Sequence, residues 1–372
     1  MNNRNDDGGA REVLDTLVIG GGQAGLAMGH YLKRQDRRFL ILDANARIGD
    51  AWRQRWDTLR LFTPAKYDGL PGLPFPGDRL SFPTKDELAD YLEAYAAAFD
   101  LPVRSGIRVE RLWREQGRYV AASDGRRWEA GNVVVATGST QAPRLPDFAA
   151  ELAPSIIQLH SSEYRNPGQL QDGRVLIVGL GNSGAEIALE VSRTHPTVIA
   201  GKPGGELPVR HGRAAARFAL PVVRFLGLHV LTLDTPIGRK AAPHKLTHAD
   251  PLIRTKSKDL AAAGVEFVPR VTGVQDGQPV VAGSPLNDVS NVIWCTGYRE
   301  SFDWIEPRVF DGGGRPRQHR GVATDMPGLF FLGEEFMYAA VSATLPGSCR
   351  DARYLAGKIR PPASLGHAAP GS

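Results

Sequence analysis

The segment Leu17-Val18-Ile19-Gly20-Gly21-Gly22-Gln23-Ala24-Gly25 constrains this chain more than any other. An apolar run ending in glycines spaced G-x-G-x-x-G predicts a buried strand, a tight turn and a helix whose N-terminus faces an anion. A second copy, Gly179-Leu180-Gly181-Asn182-Ser183-Gly184, follows Val175-Leu176-Ile177-Val178. Gly25 and Gly184 stand 159 residues apart, and so do Gly138 and Gly297, which close two later strand ends, Val135-Ala136-Thr137-Gly138 and Trp294-Cys295-Thr296-Gly297. At the same offset Asp43, which ends the second strand of the first unit, falls on Lys202. An acid at that place suits a ribose diol, whereas a cation suits a 2′-phosphate. The chain therefore reads as a binder of two dinucleotides. FAD is expected on Gly20, Gly22, Gln23, Ala24, Gly25, Asp43, Thr137 and Gly138, and NADPH on Gly179, Gly181, Asn182, Ser183, Gly184, Lys202, Thr296 and Gly297.

The fold class that follows is α/β, with two Rossmann-like dinucleotide-binding domains and the NADPH domain inserted in the FAD domain. We expect the FAD domain over 13–150 and 300–360, a linker plus the NAD(P)H domain over 151–299, and disordered tails at 1–12 and 361–372. Helices are expected near 24–34, 183–193 and 84–99, the last with Thr84 as N-cap and Glu87 completing a capping box. Strands are expected near 39–42, 103–109, 119–122, 133–136, 265–268 and 329–333. Residues 48–83, rich in Gly, Pro and Trp, read as an ordered functional loop. A final helix near 349–359 has Ser348 and Asp351 as capping candidates. Between Arg213 and Leu233, Pro221 and Gly227 are expected to interrupt any helix, which favours a pocket lid or core over a membrane-surface element.

Composition excludes several alternatives. No apolar run reaches a bilayer span, since Arg217 and Arg224 break the best candidate, so no integral membrane segment is expected. The net charge of +5 has no aromatic-interleaved basic motif beside it, so no nucleic-acid partner is expected. Only Cys295 and Cys349 are present, without a Cys-x-x-Cys, which removes a disulfide framework and a redox dithiol and favours a cytoplasmic location. No metal-ligand set stands out. A homodimer is compatible with this composition.

The two Gly motifs and Thr-Gly pairs, with Gly49-Asp50-Ala51-Trp52, His160-Ser161-Ser162-Glu163-Tyr164 and Asn182-Ser183-Gly184-Ala185-Glu186, give the chain a specific resemblance. Over about 14–360 it resembles the class B flavin-dependent monooxygenases, most of all the bacterial CzcO-like predicted flavoproteins, with plant YUCCA-type enzymes more distant. The resemblance implies that NADPH reduces FAD, that O2 adds to form a C4a-(hydro)peroxyflavin, and that a small-molecule substrate is oxygenated at a soft nucleophile or carbonyl. It makes Trp52, Arg55, Val109 and Gly333 further FAD contacts, with Glu334 beside Gly333 near the ribityl chain. It makes Phe62 and His160 the catalytic candidates: Phe62 stands where related enzymes have an Asn beside the flavin ring, and His160 would order the linker and nicotinamide pocket.

Two departures qualify the resemblance. Of the linker motif F-x-G-x-x-x-H-x-x-x-(F/Y), only His160 and Tyr164 remain, with Pro154 and Ile156 at the Phe and Gly positions. Tyr164-Arg165 stands where a Trp-Pro pair is expected, which argues against a typical Baeyer–Villiger enzyme. Two other readings stay open: a NAD(P)H:acceptor flavin reductase without oxygenation, and a flavin-bound accessory protein of cation transport.

Overall fold

Two sheets with parallel centres organise the computed structural model of the protein, which describes residues 11–360 apart from 249, 307 and 308. In the larger sheet the parallel strands lie in the order 103–104, 39–42, 11–19, 126–135 and 329–331. The second, all-parallel sheet has the order 266–268, 197–200, 174–178, 289–294 and 157–160. Every strand of the second sheet falls in sequence between strands 126–135 and 318–319 of the first.

The arrangement of the repeat recurs in the second sheet with its second strand one residue out of step, since Leu42 and Ala200, which face equivalent residues, are 158 rather than 159 positions apart. Each Gly-turn strand lies between its acid- or cation-ending strand and its Thr-Gly strand. Ile19 is opposite Leu42 and Val135, and Val178 is opposite Ala200 and Trp294. Strands 39–42 and 197–200 are buried throughout, as parallel strands covered on both faces must be. Alternation sends Val18, Ile41 and Val134 to a core shared with Leu26, Leu88 and Tyr95. Their neighbours Leu17, Ile19 and Val135 face Phe302, Ile305 and Val309 on the opposite side.

Helices Gln23–Lys33 and Asn182–Val191 follow the two Gly turns. Helix Lys85–Ala98 starts with the expected box: Thr84 Oγ1 accepts the Glu87 N–H at 3.1 Å, and Glu87 Oε2 accepts the Thr84 N–H at 2.7 Å.

Several local expectations need correction. Arg11 and Glu12, expected in a disordered tail, pair with Arg127 and Trp128 in the sheet; residues 1–10 and 361–372 lie outside the described residues. The 103–109 strand shrinks to Val103–Arg104, while 111–115, 118–123 and 126–135 form an antiparallel meander. The closing helix spans Leu345–Ala356, a turn earlier than expected, because Pro346 fits the first turn, where its missing N–H costs nothing. Ser348 and Asp351 are consequently buried inside that helix and cap nothing. From Ala215 to Val230 the backbone stays helical through Pro221 and Gly227: α-helix Leu220–Phe225 lies between π-helical turns Ala215–Ala219 and Leu226–Val230. A wider π turn accommodates the donor that Pro221 lacks.

Candidate cofactor and active site

Both Gly turns are shaped for an anion. Gly20 holds φ +112°, and a Cβ there would stand 2.4 Å from the Ala136 carbonyl oxygen. A Cβ on Gly25 would lie 1.9 Å from the Gly20 oxygen, so this position has no room for any side chain. Gly22 differs: a Cβ there meets nothing within 4 Å, and the space beside it is open. Its helix has no side-chain N-cap bond and no acidic residue in its first turn, and the same holds for the helix after Gly181. Two helix N-termini thus present N–H groups and partial positive charge with no acidic residue in their own first turn to meet them. These features fit the pyrophosphates of two dinucleotides.

At the end of the second strand Asp43 is buried, and its Oδ2 accepts the Gly21 N–H at 2.5 Å. Its Oδ1 accepts from Asn45 N and Nδ2 at 2.8 and 2.9 Å. The carboxylate is fixed beside the turn with lone-pair sites left for a diol. In the register Gly201 is level with Asp43, and Lys202, the counterpart by sequence offset, stands one position further on and is exposed. Asn182 is used structurally, its Oδ1 accepting the Ile253 N–H and its Nδ2 donating to the Pro251 carbonyl, which ties a loop to the second turn. Ser183 is half-buried next to it. Val109 is buried in the core with its side chain among sheet residues, so only its backbone can meet a ligand.

Around the first turn, Trp52 Nε1 donates to Gln23 Oε1 at 3.3 Å, and Ala24 is packed against Gly333, whose φ is +87° and whose Cβ would stand 3.1 Å from Ala24 Cβ. Glu334 is buried, and its Oε1 has no hydrogen-bond partner. Burial, reinforced by the charge of Glu300, pushes its carboxyl up to about 8. A protonated acid with Oε1 unbonded, beside the first Gly-turn helix, fits a polar ligand group there.

The strand ends converge on the linker. Arg55 donates from Nη1 to the Tyr298 hydroxyl at 2.7 Å and from Nη2 to Thr140 at 3.2 Å, and so clasps the two Thr-Gly ends. Thr137 Oγ1 accepts from Gln141 at 3.0 Å, while Thr296 Oγ1 donates to the Arg144 carbonyl. Gly138 and Gly297 both take positive φ, 72° and 81°. His160 is buried, with Nε2 3.0 Å from the Gly297 carbonyl, Nδ1 2.8 Å from Ser162 Oγ, and its ring edge-on to Tyr298 at 5.0 Å. Burial lowers its pKa, so the neutral ring donates from Nε2 and accepts at Nδ1. Both nitrogens of His160 are therefore engaged by groups of the protein itself.

Phe62 is 40% exposed, and its carbonyl accepts from His211 Nε2 at 2.9 Å. Next to it Thr63 Oγ1 lies 2.5 Å from Asp68 Oδ1, and burial raises this carboxyl to about 7. Sequence reasoning missed that pair, along with a cavity of about 270 Å³ at the two Thr-Gly ends, lined by Thr140, Lys245, His248, Gly297, Tyr298 and Glu335. Lys245 there is held by Asp250 and, at 3.4 Å, by Glu335. Tyr298 follows the second Thr-Gly directly, and that adjacency was the one available signal. A larger cavity of about 600 Å³ lies near His30, Arg34 and Arg353, away from every expected site residue. Among the described residues no cluster of His, Cys, Asp and Glu is arranged to hold a metal ion, and no helix is long and apolar enough to cross a membrane.

Comparison with known proteins agrees with this geometry. The model of the pyridine nucleotide-disulphide oxidoreductase family matches residues 17–213. An oxidoreductase named CzcO-like from Geobacillus kaustophilus is 38% identical over 359 residues, covering 94% of this chain and 99% of that protein. The indole-3-pyruvate monooxygenase YUCCA1 of Oryza sativa is 32% identical over 234 residues, covering 59% of this chain and 56% of that protein. Among solved structures, a flavin-containing monooxygenase from Stenotrophomonas maltophilia superposes with a TM-score of 0.76 at 30% identity, covering 94% of this chain and 98% of that one.

Proposed function

The chain belongs to the pyridine nucleotide-disulphide oxidoreductase family and, within it, to the CzcO-like oxidoreductases, and from that premise we propose that it is an NADPH-dependent FAD monooxygenase acting in the cytoplasm on a small organic substrate. In the overall reaction NADPH and a proton supply two electrons, one atom of O2 enters the substrate at a soft nucleophile or carbonyl, and the other leaves as water. Bound FAD supplies the chemistry that takes hydride from NADPH and activates O2. The observation that carries the reading is the doubled, uncapped Gly turn, with Asp43 after one copy and Lys202 after the other. The flavin unit then comprises 13–150 and 300–360, and the nicotinamide unit with its linker 151–299.

The protein's own part is to bind, align and shield. Gly22 and the first turn of its helix would bring backbone N–H groups to the FAD pyrophosphate, Gly20 and Gly25 allow the tight turn that aims them, and Asp43 receives the ribose. Lys202 receives the 2′-phosphate of NADPH. The Arg55–Tyr298 contact and the His160–Gly297 contact hold the strand ends at which the two cofactors would meet, as hydride transfer requires near-contact of the reacting atoms. A disulfide-reducing activity, which the family description would allow, is disfavoured: burial pushes both free thiols, Cys295 and Cys349, up to about 12, far from a reactive thiolate. The test is incubation of the holoprotein with NADPH, oxygen-18 gas and a panel of organic sulfides, amines and ketones. Incorporation of one labelled atom per NADPH consumed supports the reading, and NADPH consumption that labels none of these compounds while a quinone is reduced rapidly favours a flavin reductase.

A further inference from the structure

We propose that the helical segment 213–230, with Ile237 beyond it, docks the protein onto an anionic lipid surface without spanning it. Ten large apolar side chains are exposed among the described residues, and six of them, Phe218, Val222, Val223, Phe225, Leu226 and Ile237, lie within twenty positions of one another. Phe218 is 69% exposed, Phe225 57% and Ile237 60%. Clustering of this kind marks an interaction site, since scattered single residues would need no explanation.

Both ends of the segment are tied to the rest of the fold. A Cβ on Gly227 would stand 2.6 Å from Val341 Cγ1, Arg350 Nη1 donates to the Leu228 carbonyl at 2.7 Å, and Lys66 Nζ donates to the Ala216 carbonyl at 2.7 Å. Ala215, Ala216, Leu220, Gly227 and Leu228 form the buried side. The exposed apolar side chains within 222–226 occupy helical positions between these two anchored ends.

Charge identifies the occupant. Between Glu206 and Asp234 the chain has no carboxylate, yet it has Arg210, Arg213, Arg217 and Arg224, followed by Arg239 and Lys240. Arg213 is paired with Asp78, whereas Arg217, Arg224, Arg239 and Lys240 have no carboxylate partner among the described residues. Arg224 lies over the Tyr67 ring and Arg217 over Phe218, which keeps both charges at the edge of the apolar patch. Exposed apolar side chains interspersed in the sequence with Arg and Lys that lack a carboxylate partner match acyl chains below and anionic headgroups around. A second copy of the chain fits poorly, because a two-fold interface sets the patch against itself and opposes like charges. The inference is independent of the oxygenation chemistry.

The test is co-sedimentation of the FAD-loaded protein with vesicles of phosphatidylcholine alone or of an equal mixture with phosphatidylglycerol. Binding is expected to the mixed vesicles and to fall with added salt, since each basic residue near an anionic surface strengthens partition about five-fold. Phe218→Ser with Phe225→Ser should lower partition roughly ten-fold or more by removing buried apolar area, with melting temperature and flavin spectrum unchanged. Arg217→Glu with Lys240→Glu should lower binding to the mixed vesicles only. A Phe225→Trp variant should show a blue-shifted emission on the mixed vesicles. Failure of the native protein to bind the mixed vesicles overturns the proposal, and so does a concentration-dependent dimer abolished by the Phe218 and Phe225 changes.

Discussion

Gly22→Ala separates binding from folding more cleanly than any other change in the first turn. The backbone at Gly22 has φ −76° and ψ −172°, a conformation open to Ala, and the added Cβ meets no protein atom within 4 Å. On the unfolded side, Ala in place of Gly stabilises by about 0.4–1 kcal/mol. As an N-cap, Ala is the poorer residue by about the same amount. Apoprotein stability should therefore change by less than about 1 kcal/mol. The open space is where we place the FAD pyrophosphate, and forcing a methyl group into a packed contact costs about 1–3 kcal/mol, which corresponds to a roughly 5- to 150-fold weaker Kd. The assay is titration of apoprotein with FAD by flavin fluorescence, with denaturant melts run in parallel. Gly25→Ala serves as the contrast, because its Cβ would lie 1.9 Å from the Gly20 oxygen, and it should fail to fold. Unchanged FAD affinity in Gly22→Ala would refute the reasoning, as would a loss of affinity matched by an equal loss of apoprotein stability.

Three further outcomes are expected. Lys202→Ala should lower the preference for NADPH over NADH roughly ten-fold or more, since a charge-assisted contact is worth about 1.5–3 kcal/mol, with NADH kinetics nearly unchanged in steady-state assays. The Glu334 carboxyl, raised to about 8 by burial, keeps its proton in the folded state while the unfolded chain releases it from its ordinary 4.5 upward. Its contribution is thus complete below pH 4.5 and is lost as pH rises through 8, so the melting temperature of Glu334→Gln apoprotein should gain on wild type between about pH 5 and about pH 9. A constant gap across that range would count against a buried titrating acid. His160→Ala should slow anaerobic flavin reduction by NADPH while FAD affinity stays within about two-fold, and because burial keeps the ring neutral, the wild-type rate should show no inflection from it between about pH 7 and about pH 8.

What was legible in the sequence is what depends on local backbone demands. Gly20, Gly25, Gly179 and Gly184 lie where the chain has no room for a Cβ, so their spacing announced two strand-turn-helix units and the parallel sheets that contain them. Thr84 and Glu87 announced a helix start for the same reason, since both bonds of the box lie within four residues. The contacts that assemble the cleft were hidden because their partners are remote. Arg55 meets Tyr298 across 243 positions and His211 meets Phe62 across 149. The helical run 215–230 was misread because Pro221 signals a break only for regular α-helix, and the flanking π turns relieve that demand. Ser348 and Asp351 misled in the opposite way, mimicking a cap inside a helix that Pro346 had already begun.

The central claim is tested most directly by stopped-flow spectroscopy of FAD-loaded protein reduced anaerobically with NADPH and then mixed with oxygenated buffer in the absence of substrate. The account predicts faster bleaching by NADPH than by NADH. Oxygen should then produce an absorbance distinct from both oxidised and reduced flavin, lasting for seconds, decaying with release of hydrogen peroxide and disappearing faster once a nucleophilic substrate is present. A reduced protein that ignores oxygen yet is rapidly reoxidised by a quinone or a protein acceptor would contradict it.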